Sequence, residues 1–166
     1  MHFISALVKV FMKGSMRGFL VSEYGGIEVL KYMTDLSKPA IKPGHVLIRN
    51  KWAGINFIDI YQRTGHYKLP LPFVPGREST GYVEELGEGV HDLKVGDAVA
   101  ALSGSTYAEY SVVERRLVSK IPDGVDLKDA AACFLQGMTA SYLVTDSYRV
   151  KPGNFVLVPV LQTPRM

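Results

Sequence analysis

The chain holds a single cysteine, Cys133, so no disulfide can form within it. A disulfide-stapled secreted scaffold is excluded, and a reducing compartment, the cytoplasm, is the expected setting. Long hydrophobic runs are also missing: no stretch reaches the roughly 20 apolar residues that a membrane-spanning helix needs, so no membrane is expected as a partner. Long runs of one charge sign are absent too. Nineteen Lys and Arg against sixteen Asp and Glu leave a net charge of +3, and Arg115–Arg116 and Lys42 to Lys51 are the densest basic clusters. Nucleic-acid binders concentrate basic charge on one face. A diffuse balance of this kind describes a solvated surface and argues against nucleic acid as a partner. Internal repeats and low-complexity segments are likewise lacking.

What is there is ordinary globular material. Apolar residues make up 47% and charged residues 21% of 166 residues, which fits one domain, or one domain with part of a second. A chain of this length can bury a core without staples. Met1 to Ser15 is apolar, carries Lys9 and Lys13, and has no acidic residue. It lacks the several arginines of a mitochondrial presequence and the cleavage pattern of a secretory signal. A disordered extension over 1–15, ahead of a start at Met16, is expected, with mitochondrial import as the alternative.

From Met16 onward, short apolar runs alternate with glycine and proline turns. Strands are predicted at Arg17 to Ser22, His45 to Ala53, Gly81 to Gly87, Ala98 to Leu102, Tyr107 to Val113 and Leu117 to Ile121. Six strands at this spacing fit a compact antiparallel barrel or sandwich. After Pro122-Asp123-Gly124 the texture changes. Asp126 is placed to cap a helix with its carboxylate, and Asp129 falls in the favourable first turn. Leu127 to Tyr148 has no proline and reads as one or two helices broken near Gly137. Lys151-Pro152-Gly153 is a turn. Phe155 to Val158 is apolar throughout, as expected for a strand buried on both faces.

Three segments carry more specific information. The first is Gly54-Ile55-Asn56-Phe57-Ile58-Asp59-Ile60-Tyr61-Gln62-Arg63-Thr64-Gly65-His66-Tyr67. The second runs from Pro75-Gly76-Arg77-Glu78-Ser79-Thr80-Gly81 to Gly87 and on through Lys94-Val95-Gly96-Asp97. The third runs from Ala130-Ala131-Ala132-Cys133-Phe134-Leu135-Gln136-Gly137-Met138-Thr139-Ala140 to Val150-Lys151-Pro152-Gly153. In this order and spacing they resemble the medium-chain dehydrogenase/reductase superfamily, and within it the zeta-crystallin-like quinone oxidoreductase branch, over about Met16 to Val158.

The resemblance implies a mainly β fold with some α structure. A GroES-like, alcohol dehydrogenase-type β-barrel would occupy residues 16–125. Helices and the first strand of an incomplete Rossmann domain would occupy 126–158, and an irregular tail 159–166. Members of the family continue past that strand into a glycine-rich loop that receives the cofactor pyrophosphate. Here the sequence reads Val158-Pro159-Val160-Leu161 instead, so the chain is expected to be truncated and inactive by itself.

It also implies NADPH as cofactor and a quinone or activated enone as substrate. Zinc-dependent relatives carry a cysteine where Asn56 stands and a histidine where Arg77 stands. They also carry a four-cysteine lobe where Leu102 to Glu109 has none. Asn and Arg do not ligate zinc, so no metal is expected. A quinone is already electrophilic and does not need a Lewis acid. Asn56 and Tyr61 are the implied catalytic residues. Asn56, Tyr61, Tyr67, Gln136 and Thr139 are the implied cofactor contacts, with Gln136 standing where bacterial relatives have lysine.

Several readings compete with these roles. Tyrosines in a β-rich domain often only pack, with the hydroxyl satisfied. Thr139 can bond its own helix backbone, and Asp59 and Arg63 can pair across a helical turn. Gly76 and Glu78 read as a turn glycine and a local acceptor, and His66 and His91 as surface residues. The alternative to the enzyme is a non-catalytic GroES-like module that forms a homodimer, or a heterodimer with a full-length relative.

Overall fold

The computed structural model describes residues 14–158; the extension anticipated over 1–15 falls almost wholly outside them, and the tail at 159–166 does so entirely. Seven strands and two helices follow one another in the order β1 (Ser15–Val21), β2 (Leu30–Ser37), β3 (His45–Ala53), α1 (Phe57–Arg63), β4 (Glu78–Leu86), β5 (Ala98–Leu102), β6 (Tyr110–Glu114), β7 (Val118–Lys120) and α2 (Leu127–Tyr142). The architecture is mainly β, a curled half-barrel with two helices.

Five strands form one antiparallel sheet in the order β6-β3-β4-β5-β7. Val46 lies opposite Val113 on one side and Leu86 on the other. Apolar positions two apart share a face of a strand, which puts Val46 and Ile48 in one layer. With Val83, Val90, Leu93, Val99, Ala101, Val113 and Val118 they form the buried core. Burial of each Val, Leu or Ile among them contributes on the order of 1.5–3 kcal/mol. Gly81 sits inside β4 because a Cβ there would lie 2.1 Å from the carbonyl oxygen of Arg49 on β3.

The β1–β2 ribbon closes over one side of this sheet. The amide of Phe19 donates to the Tyr107 carbonyl and that of Glu109 to the Arg17 carbonyl, while Asn50 donates back to Glu109. Residues 107–109 thus bond mainly to β1, only Ala108 and Glu109 also meeting Asn50 of β3, and β6 begins at Tyr110 and not at Tyr107 as the sequence had indicated. Strand β2 was not anticipated. Its partly buried residues are Leu30, Met33 and Leu36, a spacing of three where a regular strand gives two. The register of β1 against β2 shifts between Met16 and Gly18, and such an irregularity hides the strand period.

Helix α2 starts where expected, with the Asp126 carboxylate accepting from the Lys128 amide at 2.7 Å. It runs unbroken through Gly137, and the irregularity comes later, as a π-type turn over Leu143–Ser147. Residues 154–158 are not a strand. A parallel strand requires flanking strands, and none of the described residues pairs with this segment.

Candidate active site

The site forms where α1 and β4 of the barrel meet α2. Asn56 precedes α1 in extended conformation, and its backbone N–H donates to Oδ2 of Asp59 at 2.8 Å. The same oxygen accepts from the Tyr107 hydroxyl at 2.7 Å. Asp59 is buried, and its Oδ1 has no partner among the described residues. Burial first, and the Asp59 bond second, push the Tyr107 phenol far above its ordinary range, so it stays a donor. Asp59 does not pair with Arg63, as the helical spacing had allowed. Arg63 Nη1 donates instead to the Gly25 carbonyl at 2.9 Å. The barrel contacts outcompete an intrahelical pair, whose value on a helix surface is only a few tenths of a kcal/mol.

Glu78, the first residue of β4, is 1% exposed. Its Oε1 accepts from Asn56 Nδ2 at 3.0 Å, and its Oε2 accepts from the backbone N–H of Leu135 at 3.0 Å. That N–H lies inside α2, where a regular helix directs it at the carbonyl four residues back. A buried carboxylate without such donors would be very costly. Gly54 makes the room, since a Cβ there would lie 2.2 Å from Oε1 of Glu78. From the other side, Gln136 Nε2 donates to Asn56 Oδ1 at 2.9 Å.

Of the five anticipated site residues, Asn56 and Gln136 are therefore in direct contact, although 80 positions separate them. Tyr61 and Tyr67 meet each other edge to face, with ring centroids 5.5 Å apart, and both are exposed. His66 joins them at 5.4 Å from Tyr61 and 5.0 Å from Tyr67. It is on the surface, as expected, but it belongs to an aromatic cluster that no sequence period reports. Thr139 bonds the Leu135 carbonyl at 2.8 Å, the backbone alternative raised for it. Glu78 was read as a local acceptor; the structure makes it the bridge between barrel and helix.

A separate cavity of about 510 Å³ lies between the β1–β2 ribbon and the end of β3, walled by Phe19, Leu30, Tyr32, Trp52, Ile55 and Tyr107. None of the five anticipated residues lines it. Among the described residues no three of His, Cys, Asp or Glu come together as metal ligands, and no helix is long and apolar enough to cross a membrane.

The curled antiparallel sheet is that of a GroES-like domain of the alcohol dehydrogenase type, and residues 42–123, which end before α2, match the alcohol dehydrogenase GroES-like domain family. The chain is 45% identical over 141 residues to a probable quinone oxidoreductase of Schizosaccharomyces pombe, covering 83% of this chain and 42% of that protein. It is 41% identical over 137 residues to a quinone oxidoreductase of Pseudomonas aeruginosa, covering 81% and 42%. A mycobacterial structure solved in complex with NADPH superposes with a TM-score of 0.80 at 40% identity, over 84% of this chain and 44% of that one. The chain belongs to the medium-chain dehydrogenase/reductase superfamily, in its quinone oxidoreductase branch, and spans less than half the length of these relatives.

Proposed function

We propose that this chain supplies the substrate-side domain of a zinc-independent, NADPH-dependent quinone reductase acting on quinones or activated enones. The observation that carries the reading is the contact between Asn56 of the barrel and Gln136 of α2, which builds a paired-amide site at the domain junction. Bound NADPH would supply the hydride. The residues present fit its nicotinamide end: two amides offer donors and acceptors to a carboxamide, and the exposed Tyr61 and Tyr67 offer flat walls. Asn56 retains a second Nδ2–H, and the tyrosines retain hydroxyls, to stabilise negative charge that develops on a quinone oxygen. Thr139, one turn beyond Gln136, borders the same helix face. Asn56 and the exposed Arg77 are not zinc ligands, which supports a metal-free reaction.

The described residues provide no glycine-rich loop for a pyrophosphate, and 154–158 form no strand. The reading therefore expects weak NADPH binding and no turnover by this chain alone. Two measurements test it. The first titrates NADPH into the 166-residue chain with quinone turnover assayed on the same sample; micromolar binding with turnover would overturn the expected inactivity. The second grafts the barrel and α2 onto the remainder of the S. pombe relative. Quinone-dependent NADPH oxidation, lowered by Asn56→Ala and Tyr61→Phe, is expected. A folded, NADPH-binding chimera that leaves quinones untouched would refute the function.

A second reading, a non-catalytic module that dimerises with itself or with a full-length reductase, draws on the exposed Val144, Tyr148, Phe155 and Leu157. Sedimentation of the chain with and without such a reductase separates the two. Both readings place the protein in the cytoplasm, with mitochondria as the alternative, which a fluorescent fusion decides.

A further inference from the structure

Glu78 does more than fill a hole beside Gly54. Its Oε2 faces the Leu135 N–H, a backbone donor that cannot be turned around. A carboxylate only accepts. The group facing Oε1 must therefore be a donor, which fixes Asn56 with its nitrogen toward Glu78 and its oxygen toward Gln136. That oxygen in turn requires a donor, so Gln136 must present its nitrogen to Asn56. Gln136 Oε1 has no partner among the described residues, and Gln136 is exposed. One buried charge thus sets the direction of a two-amide chain, and the atom left free at its outer end is an acceptor.

We infer that Glu78 is the positioning residue of this site: through Asn56 it dictates that Gln136 offers a carbonyl oxygen to an approaching ligand, and so selects for an N–H donor such as a carboxamide. The ligand part of this inference rests on the reductase reading; the direction of the amide chain does not. Reversing the chain requires the loss of the charge, and works against the Asp59 backbone N–H that the capping box turns toward the Asn56 side chain. In Glu78→Gln the introduced carbonyl can still take the Leu135 N–H, leaving an NH2 group toward Asn56. Asn56 must then turn its oxygen inward and its nitrogen outward, and Gln136 must follow, bonding through its oxygen and releasing its nitrogen. Adding Asn56→Asp restores the original direction. The introduced amide donates to the introduced carboxylate, whose second oxygen accepts from Gln136 Nε2, with the total charge unchanged.

The test is 1H–15N correlation of side-chain amides on the full 166-residue chain, the Gln136 pair being assigned by its loss in Gln136→Ala. In the wild type, one Gln136 NH2 proton should be shifted downfield and protected from exchange. In Glu78→Gln the pair should move to the position of a solvated glutamine while the Leu135 amide stays protected, a combination that simple loss of structure does not give. In the double variant the bonded Gln136 signal should return. A solvated Gln136 NH2 in the wild type overturns the inference. So does an unmoved Gln136 signal in a folded Glu78→Gln protein, or a double variant that fails to restore it. Should Glu78→Gln not fold, a folded double variant with bonded Gln136 supports the inference, and a double variant that also fails to fold overturns it. No cofactor is present, so this outcome is independent of whether the chain binds NADPH.

Discussion

The five-stranded sheet and helix α2 are built from similarly apolar sequence, but they bury it very differently. In the sheet, Val46, Ile48, Val83, Val99 and Val113 are sealed from solvent by one another. In α2, sixteen residues with four Ala, two Leu, one Phe and one Met contain one buried side chain, Ala131. The helix is also held by two partly buried polar contacts: Thr80 Oγ1 donates to the Leu127 carbonyl at its start, and Leu135 donates to Glu78 at its middle. The sheet thus has a core of its own, whereas α2 is attached to the sheet through groups that also shape the site. Elements with few buried apolar contacts open locally at lower free energy than the core. Amide exchange should therefore divide the chain into a slow sheet and a faster α2.

The largest effect that bears on this contrast is in the core. Ile48→Ala should cost about 2–5 kcal/mol and lower protection in sheet and helix together, measured by urea unfolding and amide exchange. A loss confined to one region would show that the sheet is not the cooperative unit. Gly54→Ala places a Cβ against Oε1 of Glu78 and should cost about 1–3 kcal/mol by overpacking. Its signature is faster exchange at Leu135 with sheet amides protected in proportion to the global loss only. Thr80→Val removes the hydroxyl that anchors the start of α2 and should cost about 1 kcal/mol, read chiefly as faster exchange across α2. Equal acceleration in sheet and helix would mean the two are one unit.

The same division governs what could be read in advance. Strands β3, β4 and β5 were legible because their turns and apolar runs are local signals. So was the start of α2, where Asp126 is a cap that acts over two residues. Strand β2 was not legible, because the register shift against β1 breaks its period, and the end of α2 was not, because Gly137 is tolerated there. In the site, Asn56 and Gln136 were each singled out from motif resemblance. Their contact, and that of Glu78 with Asn56 and α2, depend on packing across 22 to 80 positions. No periodicity reports a pairing at that range. Residues 154–158 show the limit from the other side: an all-apolar run says that burial would be favourable, and whether it happens depends on neighbours.

Phe155 is fully exposed, at 105% relative to a reference chain, and Leu157 nearly so. A side chain that meets nothing in the folded state has no transfer free energy to lose when it is shortened. Phe155→Ser should therefore change the unfolding free energy of the 166-residue chain by no more than about 0.5 kcal/mol, against several for Ile48→Ala. The measurement needs two protein concentrations. If Phe155 serves a contact between copies, the difference between variant and wild type will grow with concentration, since association stabilises the folded state by mass action. A concentration-independent loss above about 1 kcal/mol would show instead that the segment packs within its own chain, and the contrast between a sealed sheet and an unsealed α2 region would fail at this end.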